Sequence, residues 1–394
     1  MTAQQKSDSD LSSPTEGQGA FIIAGAGCAG LSLALRMIQS GAFKDKQILL
    51  VDRDAKTAND RTWCFWEKGK GLFEPVVYKA WERLQFFSDT LSKELHLAPY
   101  RYKLIRGGDF YRHCLEIIQE QPNVRLLQGE IGSFFNDETG AGIMVDGKKI
   151  SGTYVFNSIY QKPKLKPKEL WMLQHFKGWV IETETPAFDP SKATLMDFRT
   201  GQDEGATFFY VMPFSESKAL VEYTLFSPKI LPDAAYEKAL QEYIGKQLCI
   251  KNYTVKEKEF GVIPMTNFSF SRGNGAIRNI GTAGGQTKGS SGYTFQFIQK
   301  ETAAIVESLI KKGHPHSAPL FGKRFHFYDE VLLSVLYHKR LQGSVVFSQF
   351  FKNNTPQTVF KFLDNETILL EELRLISSLP TLPFAKAALW KAFG

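Results

Sequence analysis

Cysteine is scarce in this chain and none of it is paired. Cys28, Cys64, Cys114 and Cys249 are scattered and form no C-x-x-C motif. That argues against a disulfide framework and for reduced thiols in a cytoplasmic setting. No apolar run approaches the roughly 18 residues needed to cross a bilayer. The opening "MTAQQKSDSDLSSPTEGQG" lacks the basic and apolar regions of a secretory signal, so residues 1–18 read as a disordered tail. No helix-turn-helix, zinc-finger or RNP-like pattern is present, so the net charge of +7 does not point to nucleic acid. It suits an acidic lipid surface or a phosphate-bearing cofactor. His314 and His316 are separated by a proline and have no cysteine or acidic partner at ligand spacing, so no metal site is expected. No internal repeat of fixed period occurs.

Phenylalanine is what the chain has in excess. Its 32 Phe, with 14 Tyr and 6 Trp, bring aromatics to 13%. Such an excess either fills a large core or lines an apolar cavity. At 394 residues, two to three domains are expected.

The pattern along the chain changes twice. Residues 20–52 read as a strand ("AFII"), a glycine turn ("GAGCAG"), a helix ("LSLALRMIQSG") and a second strand ("QILLV"), a β-α-β unit. Helical spacing returns over 109–120. The Lys- and Pro-rich "QKPKLKPKEL" (Gln161–Leu170) is an extended connector. Serial strands follow, interrupted by a helix over about Ala234–Leu248, and predict an antiparallel sheet. At "AIRNIGTAGG" the chain returns to strand, glycine-rich turn and helix. From about Phe321 it is helical and apolar, with Thr355 as an N-cap and Pro356 in the first helical position. The expected organisation is therefore a discontinuous nucleotide-binding domain (19–78, 104–166, 276–314), a substrate-binding β-sheet domain (79–103, 167–275) and a helical region (315–394) that is a candidate to face a membrane.

Gly25, Gly27 and Gly30 form G-x-G-x-x-G between a strand and a helix, and Asp52 ends the next strand about 20 residues on. Gly25 permits the tight turn, Gly27 lets the backbone approach a pyrophosphate, and Gly30 allows close helix–strand packing. The helix N-terminus offers amides and a positive dipole, and Asp52 accepts from a ribose hydroxyl. Ala26 and Arg53 belong to the same candidate set. A second turn, "NIGTAGGQTKGSSGYTF", carries Gly284, Gly285 and Gly292. A nucleotide half that is interrupted by a sheet and then resumed favours the longer FAD over a nicotinamide cofactor.

In "ALVEYTLFSP", Glu222 shares a strand face with Leu220, Thr224 and Phe226. It is either a solvated residue of a half-exposed strand or a carboxylic acid held among apolar side chains. Asp197 in "LMDFR" is the second acidic candidate; Arg199 on the same face makes a plain ion pair an equal reading.

The chain resembles the lycopene cyclase family, of the flavoprotein β-cyclase type. The resemblance lies in "GAGCAGLSLAL" (Gly25–Leu35), "NDRTWCFWE" (Asn59–Glu67), "ATLMDFR" (Ala193–Arg199), "FFYVMPFSESKALVEYTLFS" (Phe208–Ser227) and "IGTAGGQTKGSSGYTFQ" (Ile280–Gln296). Met212 stands where leucine is expected before Pro213. The resemblance implies an α/β fold: a Rossmann-like flavoprotein of the hydroxylase type, with an inserted antiparallel sheet and a helical C-terminus. It implies reduced FAD, NADPH as reductant, and lycopene or another linear carotene as substrate. The implied reaction is a redox-neutral, proton-initiated ring closure, with the essential acid at Glu222.

A glutamic acid at its reference pKa of about 4.3 is mostly ionised at pH 7 and cannot donate; apolar burial raises it in the required direction. Trp63, Phe65 and Trp66 either face the cationic intermediate or pack as core aromatics near the flavin. The C-terminal "LISSLPTLPFAKAALWKAFG" mixes Leu382, Phe384, Leu389, Trp390 and Phe393 with Lys386 and Lys391. It suits peripheral attachment to the inner face of the cytoplasmic membrane, beside other carotenoid enzymes, or an ordinary packed helix. The rival functions are a flavin monooxygenase or prenyl-lipid reductase on the same fold, and a non-catalytic lipid escort.

Overall fold

The computed structural model describes residues 20–138, 140–316 and 322–393; the expected tail over 1–18 lies outside the described residues. The β-α-β unit consists of β1 (Phe21–Ala24), α1 (Cys28–Ser40) and β2 (Ile48–Asp52). Gly41, in the left-handed region, donates its N–H to Ile38 O and ends α1. β1 lies parallel to β2 on one side and to Tyr154–Asn157 on the other. The six-stranded sheet runs Gly273–Asn274, Ile277–Asn279, Tyr154–Asn157, β1, β2, Val124–Gln128, and is parallel apart from its end hairpin. Strands from before and after the intervening sheet therefore complete one another. Beside this layer, β3 (Thr62–Glu67) pairs with Arg101–Arg106 in a three-stranded sheet.

The middle of the chain forms β4 (Trp171–Glu182), β5 (Lys192–Asp197), β6 (Ala206–Pro213), β7 (Lys218–Ser227), α2 (Asp233–Lys246) and β8 (Thr254–Thr266). Their strands build a seven-stranded sheet in the order β8, β4, β7, β6, β5, Arg83–Ser88, Leu91–His96. All pairs are antiparallel except β5 with Arg83–Ser88. The sheet is thus mixed where a purely antiparallel one was expected. The parallel pair joins strands far apart in sequence, which leaves room for the long crossover that parallel pairing needs.

Period-2 alternation sorts β7 into two faces. Val221, Tyr223 and Leu225 pack with Phe209 against Tyr236, Leu240 and Tyr243 of α2. Leu220 and Phe226 face the other way, with Phe208, Tyr210 and Met212 of β6, into the largest core. That core is closed by helices. α3 (Phe295–Lys312) follows the late glycine turn and packs on α1. α4 (Lys323–Tyr337), α5 (Gly343–Asn353), α6 (Pro356–Leu363), α7 (Leu369–Ser377) and α8 (Thr381–Phe393) complete the chain. Thr355 caps α6 by accepting the Thr358 N–H at 3.3 Å, with Pro356 first in the helix. Among the described residues, no helix is long and apolar enough to cross a membrane.

Candidate active site

The glycine turn has the geometry that a phosphate requires. Gly25 sits at φ 97° and donates its N–H to Val51 O at 2.7 Å. A Cβ on Gly30 would lie 1.9 Å from the Gly25 carbonyl oxygen, whereas one on Gly27 would meet nothing within 4 Å. The turn is therefore tight beneath and open above. Gly27 caps α1 with no side-chain bond, and no acidic residue occupies the first helical turn; the uncapped amides and dipole favour an anion there. Asp52 accepts the Ala26 N–H at 2.6 Å and the Asp54 N–H at 2.8 Å, and its carboxylate lies 3.2 Å from Lys56 Nζ. Ala26 thus orients Asp52 through its backbone. Arg53 is exposed, 3.8 Å from Asp54.

The late turn packs against the first helix. Gly281–Gly284 forms a single 3-10 turn ended by Gly285 at φ 77°. A Cβ on Gly281 would lie 2.9 Å from Ala29 Cβ, and one on Gly284 would lie 2.4 Å from Asn279 O. Gly292, at φ 72°, approaches β4 so closely that its Cβ would lie 2.1 Å from Gln174 Oε1. Gln174 Oε1 and Ser291 Oγ are buried with no hydrogen-bond partner among the described residues, and a polar ligand would satisfy them. The two turns together fit a flavin dinucleotide.

The sheet brings a second carboxylate to Glu222. Gly178 of β4 lies directly opposite Glu222 on β7 and opposite Glu259 on β8. The two glutamates are two strand spacings apart, about 10 Å between backbones, and their side chains reach over the glycine to within hydrogen-bonding distance of each other. Any side chain on Gly178 would block this: its Cβ would lie 2.9 Å from Glu259 Cγ and 3.0 Å from Oε1. Thr224 Oγ1 donates to Glu222 Oε1 at 2.8 Å, and Thr62 Oγ1 of β3 donates to Glu259 Oε2 at 2.7 Å. Burial, then the neighbouring Glu259 charge, push the Glu222 carboxyl well above the usual carboxylate range. Burial also raises Glu259, but Thr62, the bond from Glu222 and Arg61 oppose it. Burial and proximity thus favour the protonated form in both carboxyls, and more strongly in Glu222.

The family's sequence profile, described as "Lycopene cyclase protein", matches residues 21–389 and so spans both glycine turns, the acid pair and most of the terminal helices. The chain belongs to the lycopene cyclase family. A lycopene beta-cyclase of Pseudescherichia vulneris is 22% identical, over 94% of this chain and 96% of that one. Among solved structures, a flavoprotein/dehydrogenase from Cytophaga hutchinsonii aligns with a TM-score of 0.62 at 10% identity, over 92% of this chain and 100% of that one. The pqsL protein of Pseudomonas aeruginosa, a probable FAD-dependent monooxygenase, aligns with a TM-score of 0.53 at 13% identity, over 75% and 88%. The fold of this cyclase-family chain is accordingly the Rossmann-like flavoprotein fold of the hydroxylase type, with an inserted sheet and a helical C-terminus.

Other candidate residues fall apart from one another. Asp197 lies on the α2 side of the sheet, paired in register with Phe209, and so on the opposite face from Glu222. It is fully buried and saturated: Arg199 donates through Nε (2.9 Å) and Nη2 (2.6 Å), and Tyr243 donates its hydroxyl at 2.8 Å. The aromatics of β3 also divide. Trp63 and Phe65 pack on Phe110 and Phe295 in the nucleotide-domain core. Thr62, Cys64 and Trp66 share the alternate face, toward the acids. Trp66 meets Tyr293 edge-on at 4.6 Å and stacks on Phe360 at 4.5 Å.

Sequence reasoning missed Glu259, Gly178, Thr62, Tyr210 and Tyr293 in this family member. Tyr210 lies opposite Glu222, and burial, then the neighbouring Tyr293 and Glu222, raise its hydroxyl. Cys64, hydrogen-bonded to Tyr102, is raised chiefly by burial and next by Glu222. One signal was available: a glycine inside the strand pattern "FKGWVIE" marks a close approach.

Proposed function

We propose that this chain is a lycopene β-cyclase that closes linear carotene end groups to β-ionone rings without net redox change. The observation that carries the reading is the meeting of Glu222 and Glu259 across Gly178 on the inner face of the sheet, where burial raises both carboxyls and Glu222 the further, beside the aromatic rings of Tyr210, Tyr293 and Trp66. The Glu222 O–H bond breaks as a C2–H bond forms on the terminal double bond, leaving a tertiary cation at C1. The C5=C6 electron pair attacks C1 and closes the ring, leaving the cation at C5, and the C6 proton passes to the Glu222 carboxylate as the C5=C6 double bond is restored. One proton enters and one leaves. The paired carboxylates and the π faces stabilise the cation.

Reduced FAD is the cofactor in this reading, with NADPH needed to keep it reduced. Gly25, Ala26, Gly27, Gly30 and Asp52 would hold its adenosine and pyrophosphate end, and Gly284, Gly285 and Gly292 its far end. Arg53, exposed beside Asp54, has no contact that favours this role. When bound, a reduced flavin supplies an electron-rich ring beside the cation. The polyene in this reading would lie toward the apolar cavity between the late turn and the terminal helices, lined by Leu195, Met196, Tyr293, Phe347, Val359 and Phe362.

Peripheral attachment to the inner face of the cytoplasmic membrane completes the reading. Its support is the exposure of Ile368, Leu369, Leu370 and Leu373 around α7 and of Leu382 and Leu389 on α8, an apolar surface with Arg374 and Lys386 beside it. Phe384 is half-buried; the side chains of Trp390, Lys391 and Phe393 lie outside the described residues.

The fold neighbours favour one rival, a flavin monooxygenase. Anaerobic incubation with lycopene and dithionite separates the two. A β-ring product formed without oxygen supports the cyclase, and no ring product overturns it.

A further inference from the structure

The acid pair is asymmetric toward solvent. A cleft between β3 and the β7–β4–β8 edge is lined by Asn59, Thr62, Arg106, Lys218, Glu257 and Glu259, but not by Glu222. Glu259 therefore stands between this cleft and Glu222. At the mouth, Asn59 Nδ2 donates to Glu257 Oε2 at 2.9 Å, and Arg106 lies 3.9 Å over the Tyr78 ring. Inside, Thr62 fixes one Glu259 oxygen. The other, Oε1, is buried, and no described residue donates to it unless Glu222 brings a proton. Gly178 provides the space that lets the two carboxyls meet.

We propose that Glu259 is a proton-relay residue, carrying protons between water in this cleft and Glu222 without touching the carotene. The proposal rests on the cyclase reading of Glu222. In the forward direction a hydronium O–H in the cleft breaks, leaving water, as a Glu259 O–H forms. The Glu259 proton then passes to the Glu222 carboxylate, and each transfer can run in reverse. No electrons move and no co-reactant is needed. Glu222 itself, half-buried on the inner face of the sheet, does not line this cleft, so without the relay it has no exchange path through it. It would then take the C6 proton from one ring and return the same proton to C2 of the next.

The two cases differ in where hydrogen ends up. The test uses the full chain loaded with reduced FAD, turning over lycopene many times in D2O, with the product read by mass spectrometry. With the relay, the wild type places a deuterium in nearly every ring. Glu259→Gln lowers that label by more than about half, because the C6 hydrogen is recycled. Label content is a ratio taken per ring formed, so lost protein does not change it, and slower turnover alone leaves more time for exchange and cannot lower it. Gly178→Ala, which separates the carboxyls, carries the same prediction if Glu259→Gln does not fold. A Glu259→Gln product labelled as fully as wild type overturns the relay and leaves the cyclase reading intact. Full cyclisation by Glu222→Gln overturns that reading, and the relay with it.

Discussion

Glu222 and Glu259 occupy one row of the seven-stranded sheet, with only the bare backbone of Gly178 between them. Two carboxyls at that separation cannot both ionise at ordinary cost. The sheet thus buries two glutamates against each other, and burial followed by the neighbouring Glu259 charge raises Glu222 well above the ordinary carboxylate range.

A pH dependence of known sign follows. The Glu222 carboxyl lies well above its ordinary value, so the donor form persists above the usual carboxylate range, and cyclisation is lost as pH rises through the elevated pKa. Stability follows the same direction. A raised folded-state pKa contributes stability fully below the unfolded value of about 4.3, and that contribution is lost as pH rises through the folded value. Thermal unfolding of Glu222→Gln across a pH series should show a flatter alkaline limb than wild type.

Asp197→Asn is expected to act on stability and not on product. The substitution removes the buried anion from a bidentate pair with half-exposed Arg199 and disturbs the Tyr243 hydrogen bond. Because the arginine can rehydrate, the loss is that of charged hydrogen bonds, about 2 kcal/mol. Denaturant unfolding measures that loss, and pigment analysis should find β-rings still formed.

How much of this was legible in the sequence differs by element. The β-α-β unit was readable because its determinants are local: an apolar run, three glycines at fixed spacing, and an acid at the end of β2. Gly41 and Thr355 likewise ended and started helices where their own chemistry requires. The pairing of Glu222 with Glu259 was not readable. It depends on the register of three strands, and "KEKEF" looks like any solvated edge. The assignment of Asp197 to the other face was hidden for the same reason: β5 carries an irregularity between Thr194 and Asp197 that shifts its pairing.

Gly30→Ala should weaken flavin retention. The new methyl would lie 1.9 Å from the Gly25 carbonyl oxygen, so the turn and the start of α1 must separate. Flavin affinity is expected to fall by at least about tenfold, roughly 1.4 kcal/mol, measured by flavin absorbance after gel filtration. Retained flavin at wild-type stoichiometry would refute this role of the turn.

Lys288 ties the late turn to the terminal helices. It is fully buried, with Nζ 2.8 Å from Asp329 Oδ1 and donating to Asn365 Oδ1 at 2.7 Å. Lys288→Met strands the Asp329 charge and should destabilise the fold by about 3 kcal/mol. Adding Asp329→Leu should recover part of that loss in a thermal melt.

The most direct measurement compares wild type and Glu222→Gln in a lycopene-accumulating host, with pigments separated by chromatography and the protein level checked in each strain. We predict β-ring carotenes from wild type and uncyclised lycopene from the variant at equal protein level. β-Rings formed equally by both would contradict the assignment of Glu222 as the acid.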